Sequence, residues 1–359
     1  MQKIAVVFPG QGSHFVGMYK ALYDEYEIVR ETIDEAEHVT GVNISDLCFN
    51  GPFSTLSKPG NAHVAIVAFG VAAFRVFVSE TGMIPHFCAG HSLGEYTALV
   101  CSGVLKFAEA LKLVQTRCEI SIEVKNSTDS GMTIIDGIDT TVVQSICSKQ
   151  QIEGRKVYIS CYNSAMQTAI SGINEDVENT EKIILENNGT VSPLFNSAPF
   201  HCKIMEESIE KLRIALSNVD IGQFRYPVIS NYTGRPYTRT QDLKQNLLHQ
   251  LTNPVRWSES IDYLVKKGVS IIIDFSAKNI FDIMIDKKNQ LKTVCFGIRG
   301  ERELLLEFFQ SEEYRQNKST FFSKCIIAAV SSPNHNKEQD DYKRVYDTYQ
   351  ELIKMKHDD

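Results

Sequence analysis

Gly90-His91-Ser92-Leu93-Gly94 is a G-x-S-x-G segment, and its serine has the setting of a covalent nucleophile. The residues before it, His86–Gly90, read as a strand. A helix pattern begins at about Leu93. Between strand and helix, two glycines let the backbone make a tight turn and push the serine out of the sheet. There the free N–H groups and dipole of the helix favour a developing anion. A serine nucleophile also needs a base and donors aimed at the oxyanion. Of nine histidines, His91 adjoins the serine, and its side chain is expected to point away from a base position. His201, in Ser197-Ala198-Pro199-Phe200-His201, follows the serine in chain order, as hydrolase histidines do. No acid stands out between them, so a Ser–His dyad is expected rather than a triad. From spacing alone, a structural role for His201 stays open. Gly10-Gln11-Gly12 closes a short β-branched run, Ile4–Phe8. It could be the phosphate turn of a dinucleotide fold, but Phe15 stands where the third glycine belongs. The serine motif favours the other reading, a loop supplying an oxyanion N–H.

These groups need elements to hold them. A helix pattern runs from near Phe15 past Tyr26. Residues 61–78 are apolar nearly all round and predict a buried helix. Another helix is expected over residues 107–124. This strand–turn–helix grammar predicts an α/β layer with a largely parallel sheet. The pattern changes near residue 127, where Ser127–Gly131 reads as a loop. Met132–Ile138, Val157–Cys161, Gln167–Ser171 and Thr190–Phe195 read as strands, with helices at Thr140–Lys149 and Glu175–Asn187. The order β-α-β-β-α-β is that of a ferredoxin-like unit. Val228–Ser230 and Ser270–Asp274 then read as further strands of the first domain. The expected organisation is a large domain over residues 1–126 and 198–310, with an inserted subdomain over 127–197. Residues 311–359 form an extension. In it Tyr342, Val345, Tyr346, Tyr349, Leu352 and Ile353 recur at the spacing of an amphipathic helix.

Composition bounds the alternatives. The 359 residues suggest about two domains. A net charge of −7 argues against a general nucleic-acid binder, which needs surplus cations. The tail carries 8 Lys+Arg and 9 Asp+Glu, so nearly all of the −7 belongs to residues 1–310. No apolar run is expected to reach the ~20 residues that span a bilayer. The start, Met1-Gln2-Lys3 and a short apolar run, is too brief for a signal core. The nine cysteines are scattered without a Cys-x-x-Cys pair, which reads as reduced cytoplasmic thiols rather than a metal site.

Taken together, the motifs resemble the malonyl-CoA:acyl carrier protein transacylases. Phe8-Pro9-Gly10-Gln11-Gly12-Ser13 is similar to that family's opening motif, and Ala89 to Tyr96 to its nucleophile motif. Gln115-Thr116-Arg117, Asn163-Ser164 with Ser171-Gly172, and Ala198 to His201 match further segments. So do Ser230-Asn231 and Asn253-Pro254-Val255-Arg256-Trp257. The resemblance implies a hydrolase-like α/β domain with an inserted ferredoxin-like subdomain. It makes Ser92 the acylated nucleophile and His201 its base. The backbone N–H groups of Gln11 and Leu93 become the oxyanion hole. It makes Arg117 the clamp on the malonyl carboxylate, a role that suits a planar fork of donors. The alternative for Arg117 is a cap on its own helix C-terminus. Gln250 matches the residue whose carbonyl orients the histidine. Phe200 and Leu93 match malonyl-selective members, while Asn163 and His63 are candidates for lining the site. No permanently bound cofactor is implied. Malonyl-CoA is the substrate and a phosphopantetheinylated acyl carrier protein the partner.

Two positions depart from the family pattern. His14 replaces a common Gln, and His63-Val64 replaces a common Gln-Pro, which bears on the shape of the acyl pocket. The tail beyond residue 310 exceeds what fatty-acid synthesis requires and favours service to a polyketide or hybrid peptide–polyketide assembly line. The rival readings are an acyl hydrolase on the same scaffold and a non-catalytic carrier-binding module. Arg117 argues against the first, and the full set of site residues against the second. Carrier proteins are acidic as a family, so docking is expected to use Lys and Arg near the Ser92 cleft.

Overall fold

The computed structural model describes residues 2–194, 197–286 and 289–311, with Asp347, Gln350 and Glu351 beyond them. Residues 2–302 form one compact unit, and residues 303–359 with Met1 are a second. The site lies wholly in the first. The expected tail helix falls outside the described residues, apart from those last three, which are helical.

The central sheet has four parallel strands. These are β1 (Lys3–Phe8), β2 (Phe87–Gly90), β9 (Val269–Asp274) and β10 (Lys292–Cys295), in the order β10-β9-β1-β2. The runs of β1, β2 and β9 are apolar because such strands are covered on both faces. Phe8 and Gly90 are register partners at the C-terminal ends of β1 and β2. The turn after Phe8 and the turn after Gly90 therefore leave the sheet side by side. That edge is where α/β folds bind their ligands.

The helices that matter here follow in chain order. They are α1 (Lys20–Glu25), α2 (Glu27–Thr40), α3 (Ile44–Asn50), α4 (Phe53–Leu56), α5 (Pro59–Thr81), α6 (Gly94–Cys101) and α7 (Phe107–Ser127). The first begins five residues later than the pattern near Phe15 suggested. Gly17 and Tyr19 both take positive φ, 95° and 57°, and the Tyr19 hydroxyl donates to the Phe275 carbonyl, so a turn is fixed there instead. Helix α5 also corrects an expectation. It has 23 residues and is apolar enough to cross a membrane, yet 83% of its apolar stretch is buried within the fold. It is a core helix.

The insert builds its own sheet. Its strands are β3 (Ser130–Asp136), β4 (Val157–Ser164), β5 (Gln167–Ile173) and β6 (Thr190–Pro193), all antiparallel, in the order β4-β5-β3-β6. Ser130 and Gly131 belong to β3, so the expected loop at 127–131 is shorter than its polarity suggested. Helices α8 (Thr140–Ile152) and α9 (Asn174–Glu186) cover one face. Ile135, Val143, Val157, Ile170, Val177 and Ile184 form its core. One edge is tied to the body: Tyr162 N–H donates to Val255 O, and Val255 N–H to Ser160 O, both at 2.9 Å.

The chain returns through α10 (Ile209–Ser217), α11 (Asp242–Thr252), α12 (Trp257–Lys266) and α13 (Arg299–Gln310). The expected strand at 228–230 is reduced to β7 (Ile229–Ser230), which pairs with β8 (Arg235–Pro236) in a two-stranded ribbon. The segment meets the main sheet beside β2, where Val228 forms a parallel bridge to Cys88 and the Cys88 N–H donates to Pro227 O at 2.8 Å.

Candidate active site

The turn after β2 is the sharpest feature of the site. Ser92 takes φ of 52°, a left-handed conformation that a serine adopts only under constraint. The flanking glycines make it possible. A Cβ at Gly90 would lie 1.9 Å from Gly94 O, and one at Gly94 would lie 2.2 Å from Phe8 O. Asn231 fixes the turn from the other side. Its Oδ1 accepts from Ser92 N–H at 2.6 Å, and its Nδ2 donates to Gly90 O at 2.6 Å.

His201 reaches the same point from a distant segment. It also has a positive φ, 63°, and its backbone N–H donates to Leu251 O at 2.9 Å. Its Nε2 lies 2.6 Å from Ser92 Oγ, and its Nδ1 lies 2.6 Å from the backbone oxygen of Gln250. A carbonyl accepts only, so Nδ1 carries the proton and Nε2 is free to take one from Ser92. Gln250 stands in the last turn of α11, where carbonyls lack helical partners and the dipole is negative. That carbonyl takes the place where a triad has its acid. Burial, and then the charge of Arg117, push the His201 imidazole down to about 3, so it is neutral at pH 7.

Arg117 comes from the middle of α7, ten residues before the helix ends. It is 1% exposed. Its Nη2 donates to Ser92 Oγ at 3.1 Å, and its guanidinium carbon sits 4.1 Å from the centre of the Phe200 ring. Its Nε and Nη1 have no partner among the described residues. A buried guanidinium with two idle donors is poised to bind an anion with the geometry of a carboxylate.

A cleft of about 870 Å³ opens over Ser92 and His201. The body contributes Gln11, Gly12, Phe53, Lys58 and Lys125, and the insert contributes Met132, Asn163 and Leu194. No described group accepts from the backbone N–H of Gln11 or of Leu93. His91 turns to the insert, where its Nε2 lies 2.8 Å from Asn163 Oδ1. Burial lowers its pKa to about 4. His63 does not reach the cleft surface. It is fully buried, with Nδ1 3.0 Å from Cys118 Sγ and its ring 6.4 Å from that of Phe200. His14 lines the cleft, with Nε2 3.1 Å from Ser57 Oγ. Among the described residues, no group of three or more His, Cys, Asp or Glu could hold a metal ion.

Sequence reasoning assigned no role to Asn231 or to Glu95. Each stands in a segment noted only for its resemblance. A polar residue two or three positions from a turn carries no sign of which backbone groups it will meet.

The family model described as acyl transferase domain matches residues 5–289. A malonyl CoA-acyl carrier protein transacylase from Bacillus subtilis is 33% identical over 344 residues, covering 95% of this chain and 86% of that protein. A second, from Bacillus subtilis strain 168, is 35% identical and covers 87% of this chain and 99% of that protein. The first match thus extends into the tail. A solved malonyl-transacylase, in complex with its type II polyketide-synthase acyl-carrier protein, superposes with a TM-score of 0.81 at 31% identity. It covers 85% of this chain and 99% of that one. The chain belongs to the acyl transferase domain family, among the malonyl CoA-acyl carrier protein transacylases.

Proposed function

We propose that this protein moves a malonyl group from malonyl-CoA to the phosphopantetheine thiol of an acyl carrier protein. A Ser92 ester is the intermediate. The observation that carries this reading is the convergence of Ser92, His201 and a buried Arg117 with two idle donors. Ser92 Oγ attacks the thioester carbonyl as its proton passes to His201 Nε2. The oxyanion forms against the N–H groups of Gln11 and Leu93, and the C–S bond breaks. The proton on His201 goes to the departing thiolate. In the second half-reaction the carrier thiol gives its proton to His201 and attacks the ester. The C–O bond then breaks, and Ser92 recovers its proton. Arg117 holds the free carboxylate throughout and swings no charge into water. Lys58 and Lys125 on the cleft wall suit the phosphate groups and the acidic character of such a partner.

The fold reading behind this is a hydrolase-like α/β domain (residues 1–126 and 198–310) with a ferredoxin-like subdomain (127–197) inserted. The β6-β3-β5-β4 order with two helices on one face supports it. The likeness to a malonyl-transacylase solved with its type II polyketide-synthase carrier protein supports service to a polyketide or hybrid assembly line.

Intact mass after mixing with malonyl-, methylmalonyl- and acetyl-CoA tests the reading. A single malonyl adduct is expected on the wild-type chain and none on Ser92→Ala. An adduct that survives Ser92→Ala overturns it. Phe200 stands under Arg117 and would crowd a methyl branch. Phe200→Ser should raise methylmalonyl labelling relative to malonyl by about tenfold, as one methyl is worth ~1–3 kcal/mol. An unchanged ratio in competition labelling would remove Phe200 from the selectivity of the pocket.

A further inference from the structure

We infer that Glu95 is the positioning acid of this site: its carboxylate fixes Gln250 and Asn231, which in turn fix His201 and the Ser92 turn. This rests on the malonyl-transfer reading above.

Glu95 lies in the first turn of α6, three residues past Ser92, and is fully buried. Three neutral donors converge on it. Tyr237 Oη–H and Asn231 N–H donate to Oε1 at 2.6 and 3.2 Å, and Gln250 Nε2–H donates to Oε2 at 3.0 Å. Each of two donors has a second task at the reacting groups. Gln250 Nε2 also donates to Ser92 O at 2.8 Å, while its backbone oxygen accepts from His201 Nδ1–H. Asn231 grips Ser92 N–H and Gly90 O. One carboxylate therefore underlies both the orientation of the base and the shape of the nucleophile turn. An acid that never touches substrate would do the positioning work a triad acid does directly.

This arrangement depends on charge. An ionised carboxylate can accept from all three donors at once. A protonated one must itself donate and so loses at least one of them. Burial raises the Glu95 pKa to about 7, against the pull of Tyr237, Gln250 and Asn231. The groups facing it do not titrate there. Burial pushes Tyr237 well above its ordinary value, and Tyr96, against the opposing charge of Arg117, to about 12. His201 and His91 are held down to about 3 and about 4. As pH falls through 7, Glu95 gains its proton while His201 is still a free base. Loss of activity in that range is then assigned to Glu95.

The test is the pH profile of kcat/KM for malonyl-CoA with a holo carrier protein, measured for the wild type, Tyr237→Phe and Glu95→Gln. The wild type should decline about tenfold per pH unit below the Glu95 transition. Tyr237→Phe removes a donor to the carboxylate, so its decline should begin about half a unit or more higher. Glu95→Gln should lose the decline and run at a lower plateau, with KM for malonyl-CoA close to wild type. A residue that only supported the fold would scale activity equally at every pH. Should Glu95→Gln fail to fold, Tyr237→Phe still decides. A decline that stays at the wild-type pH in Tyr237→Phe overturns the inference. Absence of any malonyl adduct on wild-type Ser92 at every pH would instead overturn the malonyl-transfer reading itself.

Discussion

Arg117→Ala is expected to cut kcat/KM for malonyl-CoA by about 10²–10⁴-fold while reversing the preference between malonyl and acetyl groups. The guanidinium is 1% exposed and has no carboxylate partner among the described residues. Burial lowers its pKa, because a charge held away from water is disfavoured. A malonyl carboxylate entering the cleft relieves this by accepting from the guanidinium, whose Nη1 is without a partner among the described residues. Without the arginine, the carboxylate is buried unpaired, and breaking such a pair costs about 3–5 kcal/mol. An acetyl group carries no carboxylate. In the wild type it leaves the two donors idle, and in the variant that penalty is gone. The Nη2 bond to Ser92 Oγ is lost for every substrate, so the ratio of the two substrates, rather than either rate, is the decisive quantity. Competition between malonyl- and acetyl-CoA, read by intact mass, measures it. A variant that still favours malonyl would remove Arg117 from carboxylate binding. Arg117→Met, which fills much of the same space, should leave the melting temperature unchanged or higher, because it deletes a buried charge whose partner is the substrate.

The sequence made the nucleophile turn readable because its requirements are local. Two glycines, a serine and an apolar run define a turn whose neighbours leave no room for Cβ atoms. The strands of the insert were readable for the same reason, since each is a short apolar or β-branched run between polar turn and helix segments. Arg117 was not legible from spacing, and only the family resemblance brought it to the site. Yet its helix held a sign: Leu113, Val114, Ile120 and Ser121, at i−4, i−3, i+3 and i+4, are all buried. A charged residue on an apolar stripe must find a partner inside. Glu95 was hidden differently. An acid in the first turn of a helix reads as a partner for the dipole, so nothing in the sequence announces its burial. Strand β10 was missed because its four residues begin with exposed Lys292 and have no apolar run. Tyr19 broke the first helix through a bond to Phe275, 256 positions away, which no local pattern contains.

His201→Ala should lower the rate of Ser92 acylation by about 10²–10⁴-fold, the usual worth of a general base. KM for malonyl-CoA should be little moved, because the carboxylate is held by Arg117. In the wild type, Ser92 Oγ stands between a neutral Nε2 at 2.6 Å and the cationic Nη2 at 3.1 Å. The cation favours the alkoxide, but only the imidazole can take the proton. Its own Nδ1–H stays on the Gln250 carbonyl, so the imidazolium forms against the negative end of α11. A base held down to about 3 is a weak acceptor in the resting site. The incoming carboxylate neutralises Arg117, the second cause of that depression, and so strengthens the base when substrate is bound. Removing Arg117 lifts the same depression permanently, so it leaves the base no weaker and costs the carboxylate contact. The loss in Arg117→Ala/His201→Ala relative to His201→Ala should therefore match or exceed the loss in Arg117→Ala relative to the wild type, measured by rapid-quench intact mass at subsaturating malonyl-CoA. A double variant as fast as His201→Ala alone would mean that Arg117 serves acylation only through His201.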